Sequence, residues 1–128
     1  MTDTGHAKKK ILLVDDSLTT LMMHRMALAK GAFDIITARS GAEAVKVALA
    51  ERPDLIVMDV VMPELSGFEA CARLRATDAT KLTPIILVTT RGDVESVTTG
   101  FASGCTDYLT KPVNPTELLV KVKIHLRS

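Results

Sequence analysis

Two carboxylates, Asp15 and Asp16, directly follow the apolar run Ile11–Val14. A third, Asp59, directly follows the run Leu55–Met58. A hydroxyl, Thr89, ends the run Ile85–Val88, and an ammonium, Lys111, comes shortly after Tyr108-Leu109 and just before Pro112. If these runs are strands of one parallel sheet, their ends meet at its carboxyl edge, where open α/β sheets bind ligands. Three carboxylates brought together repel unless positive charge lies between them. A hard divalent cation suits an all-oxygen site, and Mg²⁺ prefers one or two carboxylates, waters and a phosphate oxygen to a closed protein cage. Lys111 adds a second positive charge. A carboxylate beside two cations, with a hydroxyl nearby, is equipped for phosphoryl transfer. The carboxylate attacks, the cations neutralise the phosphoryl oxygens and the hydroxyl holds one of them.

Each residue also has a plainer role to play. An Asp that ends a strand often caps the next helix, and Ser17 follows Asp15-Asp16. Asp59 is placed to serve a turn before Met62-Pro63, Thr89 is a β-branched strand former, Lys111 a surface lysine and Tyr108 a half-buried aromatic. Convergence of all of them on one edge is what favours chemistry.

The elements that must position them alternate along the chain. Strands are expected over Ile11–Val14, Ile35–Ala38, Leu55–Met58, Ile85–Val88 and around Tyr108-Leu109. Between them lie helical patterns. Ser17–Lys30 repeats Leu18, Leu21, Met22, Met26 and Ala29, with Gly31 as C-cap. Ser40-Gly41-Ala42-Glu43 and Ser66-Gly67-Phe68-Glu69 read as capping boxes. Asp93 is expected to cap a helix that Gly104 closes, and Asn114-Pro115-Thr116-Glu117 to open the last. Met22, Met23 and Met26 are read as core and rim, and His24 and His125 as surface residues. The runs lack period-2 alternation, so the strands are expected to be covered on both faces. The result is an α/β (βα)5 fold, a three-layer sandwich around a five-stranded parallel sheet.

The composition bounds the function. The chain has 128 residues, enough for one domain, with residues 1–9 as a flexible arm and 10–128 as the folded unit. Sixteen Lys and Arg against fifteen Asp and Glu give a net charge of +1, which argues against direct nucleic-acid binding by bulk electrostatics. There is no apolar run long enough to enter a membrane and no secretory h-region. Cys71 and Cys105 read as reduced, structural thiols of a cytoplasmic protein.

The segments ILLVDDS, VMDVVMPELSGFE, ILVTT and GCTDYLTKPV, in this order and spacing, resemble the receiver domains of two-component response regulators, including the stand-alone chemotaxis type. The resemblance covers residues 9 to 127. It implies a flavodoxin-like sheet in the order 2-1-3-4-5. It also implies Asp59 as phosphoacceptor, with Mg²⁺ (or Mn²⁺) held by Asp15, Asp16, Asp59 and the backbone carbonyl of Val61. Thr89 and Lys111 would meet the phosphoryl group, Thr89 and Tyr108 would form the switch, and Lys111-Pro112 would be cis. Val61, Thr90 and Arg91 occupy positions that tune reaction rates, and Thr90 is bulkier than the Ala or Gly usual there. The implied donor is a sensor histidine kinase or a phosphotransfer protein. The implied output partner binds helix 4, strand 5 and helix 5, a surface that also admits a homodimer on phosphorylation.

Other classes fit less well. An aspartyl-phosphate phosphatase would want a carboxylate where Val61 stands. A flavin carrier would want a hydroxyl- and Gly-rich loop where Asp15-Asp16 stand. A phosphate-independent scaffold would not need the complete site. Two segments bear on output. Helix 4 carries Val97, Thr98, Thr99 and Gly100, all poor helix formers. Helix 5 is expected to bury Leu118, Leu119, Val122 and Leu126 and to leave Val120 and Ile124 off that face, flanked by Lys121 and Lys123.

Overall fold

The computed structural model describes residues 8–90 and 94–127, without the side chains of 94–97. Most of the N-terminal arm, Arg91, the Asp93 cap and the Val97 side chain lie outside the described residues. Among the described residues, five strands and five α-helices alternate. They are β1 (Lys10–Val14), α1 (Leu18–Leu28), β2 (Asp34–Ala38), α2 (Gly41–Glu51), β3 (Leu55–Asp59), α3 (Gly67–Arg75), β4 (Ile85–Thr89), α4 (Val94–Ala102), β5 (Asp107–Thr110) and α5 (Pro115–Leu126). All strand pairs are parallel and the sheet order is β2-β1-β3-β4-β5, as expected.

The central strands β3 and β4 are buried along their whole length. Edge strands β2 and β5 are only partly covered, so burial on both faces holds for the interior of the sheet alone. Alternating side chains feed two cores. Leu12, Ile56, Met58, Ile85 and Leu87 pack with Ala44, Ala48, Ala70 and Leu74 of α2 and α3. Ile11, Leu13, Leu55, Val57, Ile86 and Leu109 pack with Leu21, Leu28, Leu118 and Val122 of α1 and α5. Each fully buried aliphatic side chain contributes about 1.5–3 kcal/mol. Cys71 and Cys105 are free and buried, and burial pushes the Cys105 thiol up to about 11.

Helix starts follow the local chemistry. Ser66 and Glu69 form a reciprocal capping box, and the Asn114 side chain accepts from Glu117 N–H with Pro115 in the first turn. At α2, Ser40 accepts from Glu43 N–H, but the Glu43 carboxylate turns to Arg39 N–H instead of the Ser40 backbone. At α1, Gly31 is not the cap. The helix stops at Leu28, a 3₁₀ turn covers Ala29–Gly31, and Ala32 takes the left-handed conformation at φ 54. The Phe33 ring lies over Gly31, in the space a Cβ would take.

The buried stripe of α1 also differs from expectation. It is Leu21, His24 and Leu28, spaced i, i+3, i+7, whereas Leu18, Met22, Met23 and Met26 are exposed. The methionines therefore lie outside the core. His24 is only 7 % exposed, and His125 sits against the Asp107 carboxylate at 2.9 Å, so neither histidine is a free surface residue. On α5, Leu118 and Val122 are fully buried, Leu119 and Leu126 are half-buried, and Val120 and Ile124 are exposed.

Candidate functional site

Strand periodicity explains which groups meet. Asp15 continues the Ile11–Leu13 face of β1, Asp59 the Leu55–Val57 face of β3, and Lys111 lies two residues beyond Leu109 of β5. All three therefore belong to the α1/α5 side of the sheet. The Lys111 Nζ lies 3.3 Å from Asp59 Oδ1 and 3.5 Å from Asp15 Oδ2. Asp15 is 1 % and Asp59 4 % exposed, while Asp16 is exposed. Carboxylate oxygens of Asp15, Asp16 and Asp59 lie within 4.8 Å of one another.

The backbone holds these groups in place. Asp15 N–H donates to Ala38 O, and Val60 N–H to Val88 O, which extends the sheet past its last rung. Asp15 also serves the plainer role, since its Oδ1 accepts from Ser17 N–H while Oδ2 faces Lys111. Arg39 Nη2 donates to the Asp16 carbonyl. Gly67 lets α3 start against the end of β3. Its N–H donates to Val60 O, and a Cβ there would overlap Asp59 O and come within 2.8 Å of Val60 Cα. The Lys111-Pro112 peptide is cis, and Lys111 N–H donates to Thr89 O.

The electrostatics match the geometry. Burial first, and Asp15 second, push the Asp59 carboxyl above its ordinary value, against the pull of Lys111. For Lys111, burial pulls down, but Asp59 and Asp15 outweigh it and hold the ammonium above its ordinary value. One lysine among three carboxylates leaves negative charge uncompensated, and every acidic donor is an oxygen. That donor set fits a hard divalent cation.

The other predicted residues stand on β4, β5 and the segments after β3 and β4. Thr89 is 6 % exposed and continues the Ile85–Leu87 face, opposite in parity to Asp59. Tyr108 pairs with Leu87 in register, two rungs below Thr89, and meets the Phe101 ring of α4 edge-on at 5.9 Å. Val61 and Thr90 are both exposed, Val61 two residues past Asp59 and Thr90 directly after β4. Gly67, Arg39 and His24 were not singled out by sequence reasoning as parts of the site. Ser-Gly before an apolar aromatic was the available signal for Gly67. The other two carry none.

Comparison with known proteins identifies the family. The family model for the response regulator receiver domain matches residues 11–123. The alkaline phosphatase synthesis transcriptional regulatory protein PhoP of Bacillus subtilis is 40% identical over 119 residues, covering 93% of this chain and 49% of PhoP. The chain thus spans about half the length of that relative. The chemotaxis protein CheY4 of Vibrio cholerae superposes with a TM-score of 0.85 at 38% identity, over 94% of this chain and 99% of CheY4. The receiver domain of a sensor histidine kinase from Pseudomonas aeruginosa PAO1, solved with a magnesium ion coordinated in its active-site cleft, superposes with a TM-score of 0.88 at 29% identity, over 95% of this chain and all of that one (100%). An acidic cluster on a 2-1-3-4-5 sheet and a family match over nearly the whole chain lead to one assignment: this chain belongs to the response regulator receiver domains of two-component systems.

Proposed function

We propose that Asp59 accepts a phosphoryl group from a histidine kinase or a phosphotransfer protein, and that the domain promotes this transfer itself. The observation that carries the reading is the placement of Asp59. It is buried at the end of a central strand, 3.3 Å from Lys111 and within 4.8 Å of two further carboxylates. An Asp59 oxygen forms the P–O bond as the donor's P–N bond breaks. Lys111, already held between Asp15 and Asp59, pairs with the charge delivered to Asp59. A divalent cation, Mg²⁺ or Mn²⁺, held by Asp15, Asp16, Asp59 and the Val61 carbonyl, supplies the remaining charge neutralisation when bound. The Thr89 hydroxyl, on the neighbouring strand end, donates to one phosphoryl oxygen, and Tyr108 follows it inward. That movement changes the surface of α4, β5 and α5 for an output partner or a second copy of the chain. Val61, Thr90 and Arg91 set the rates. The identity of the relatives supports a regulator over an enzyme with an external substrate.

The test is intact mass after incubation with a small phosphodonor and Mg²⁺. A phosphoryl adduct is expected on the wild type and not on Asp59→Asn. No adduct on the wild type with either a small donor or a phosphorylated histidine kinase refutes the reading. Phosphorylated Thr89→Ala should fail to bind the output partner, and normal binding would refute the switch.

A further inference from the structure

A cavity of about 430 Å³ opens between α1 and α5, beside the phosphoacceptor edge. That volume lies in the range of small-molecule sites. Met23, Ala27, Val113 and Leu118 give it apolar walls, and Thr90 and Lys111 bring it to the site already described. One polar ring also lines it. His24 is only 7 % exposed, and among the described residues its ring makes no hydrogen bond. A buried polar group without a partner is costly. Leucine at this position would continue the Leu21–Leu28 stripe without that cost.

We propose that this cavity binds a small uncharged amphiphile, with an apolar body against Met23, Ala27 and Leu118 and one hydrogen-bonding group on the His24 imidazole. Charge selects against other ligands. The one ammonium in the lining, Lys111, is already paired with Asp15 and Asp59 at 3.5 and 3.3 Å, so it has little to offer an anion. A cation would lose its hydration against apolar walls. Burial holds His24 below its ordinary value, with Asp15 pulling it up and Lys111 pushing it down. Its neutral ring offers one donor and one acceptor, which suits a hydroxyl. Because Lys111 lines the cavity, an occupant should also alter phosphorylation of Asp59. That second effect rests on the phosphoacceptor reading, and binding itself does not.

The test is an NMR titration of the full chain with three matched probes: benzyl alcohol, ethylbenzene and phenylacetate. Saturable shifts are expected at the Met23 methyl, Ala27, Leu118 and the His24 ring, while the Met22 methyl, on the same helix but outside the cavity lining, stays fixed. Benzyl alcohol should bind about fivefold more tightly than ethylbenzene, the effect of one hydrogen bond, and phenylacetate most weakly. His24→Leu should abolish that preference. Should this variant fail to fold, Ala27→Met, at the half-buried cavity wall, should weaken both neutral probes. Binding should persist in Asp59→Asn, which separates failure of this site from failure of the phosphoacceptor. Four results overturn the proposal: no saturation, equal shifts at Met22 and Met23, phenylacetate as the tightest probe, or saturation by an amphipathic helical peptide in place of all three.

Discussion

Asp59→Asn should make the metal-free domain more stable, although it removes an ion pair. The carboxylate oxygens of Asp15 and Asp59 lie no more than 4.8 Å apart. At that separation two unit charges repel by about 3.5 kcal/mol at an effective dielectric of about 20. The Lys111 ammonium, 3.3 Å from Asp59, attracts by about 5 kcal/mol on the same scale. These two effects alone would favour the carboxylate. Desolvation decides otherwise. Asp59 is 4 % exposed, and taking an ion out of water costs several kcal/mol even after relaxation. Burial and Asp15 together raise the Asp59 carboxyl above its ordinary value of 3.8. The native state therefore holds that proton more tightly than the unfolded chain does. Wild-type stability falls as pH rises from 3.8 through the raised native value. Asparagine avoids this loss, so the variant should gain about 1–3 kcal/mol at neutral pH. The gain should be full above the native pKa and vanish below the unfolded one. Urea denaturation in EDTA at neutral and acidic pH reads it directly. Millimolar Mg²⁺ should stabilise the wild type more than the variant and narrow the gap. An Asp59→Asn protein no more stable than wild type in EDTA at neutral pH would refute the reasoning.

Other substitutions test other parts of the architecture. Lys111→Met leaves Asp15 and Asp59 facing each other without a cation; it should cost about 2–4 kcal/mol by urea denaturation, and an unchanged midpoint would count against the ion pairs. Arg75 donates to the carbonyls of Thr80, Thr83 and Gly104 and to the Thr106 hydroxyl. Arg75→Lys cannot reproduce that fork and should lose about 1–3 kcal/mol, read as a lowered melting temperature. Arg52 caps α2 at φ 50, where an L side chain is strained, so Arg52→Gly should add about 1 kcal/mol in the same assay. Burial tends to raise the Asp107 carboxyl, but His125, Lys121 and the Tyr108 N–H outweigh it and hold it below 3.8. Its stabilisation is present above 3.8 and lost as pH falls through the lower native value. Asp107→Asn should thus lie about 1 kcal/mol below wild type at neutral pH, and the two should converge in acid.

The order and type of all ten elements were legible because each strand is a short apolar run and each helix carries its own stop or start chemistry. The meeting of the carboxylates with Lys111 was legible for the same reason, since Asp15 directly follows β1, Asp59 ends β3 and Lys111 directly follows β5. The face of α1 was not. Apolar residues occupy both sides of that helix, and hydrophobicity alone cannot choose between Met22–Met26 and Leu21–Leu28. Packing chose the stripe that contains a histidine, which sequence reasoning treats as a surface residue. Histidine on α5 was misplaced for a related reason. Its partner Asp107 lies on β5, and no spacing within the helix announces it. The end of α1 shows a third limit, because the role of Gly31 depends on where the Phe33 ring lies.

The parity of the strand ends has a consequence for how this domain can change. Asp15, Asp59 and Lys111 stand on the α1/α5 side, whereas Thr89 and Tyr108 stand on the side of α3 and α4. The sheet is a partition with two separately packed rooms, and the end of β4 is the doorway between them. Substitutions deep in one room share few neighbours with those in the other, so their energetic effects should add. Only the threshold at β4, where Asp59 pairs with Val88 and Thr89 follows, must satisfy both rooms at once.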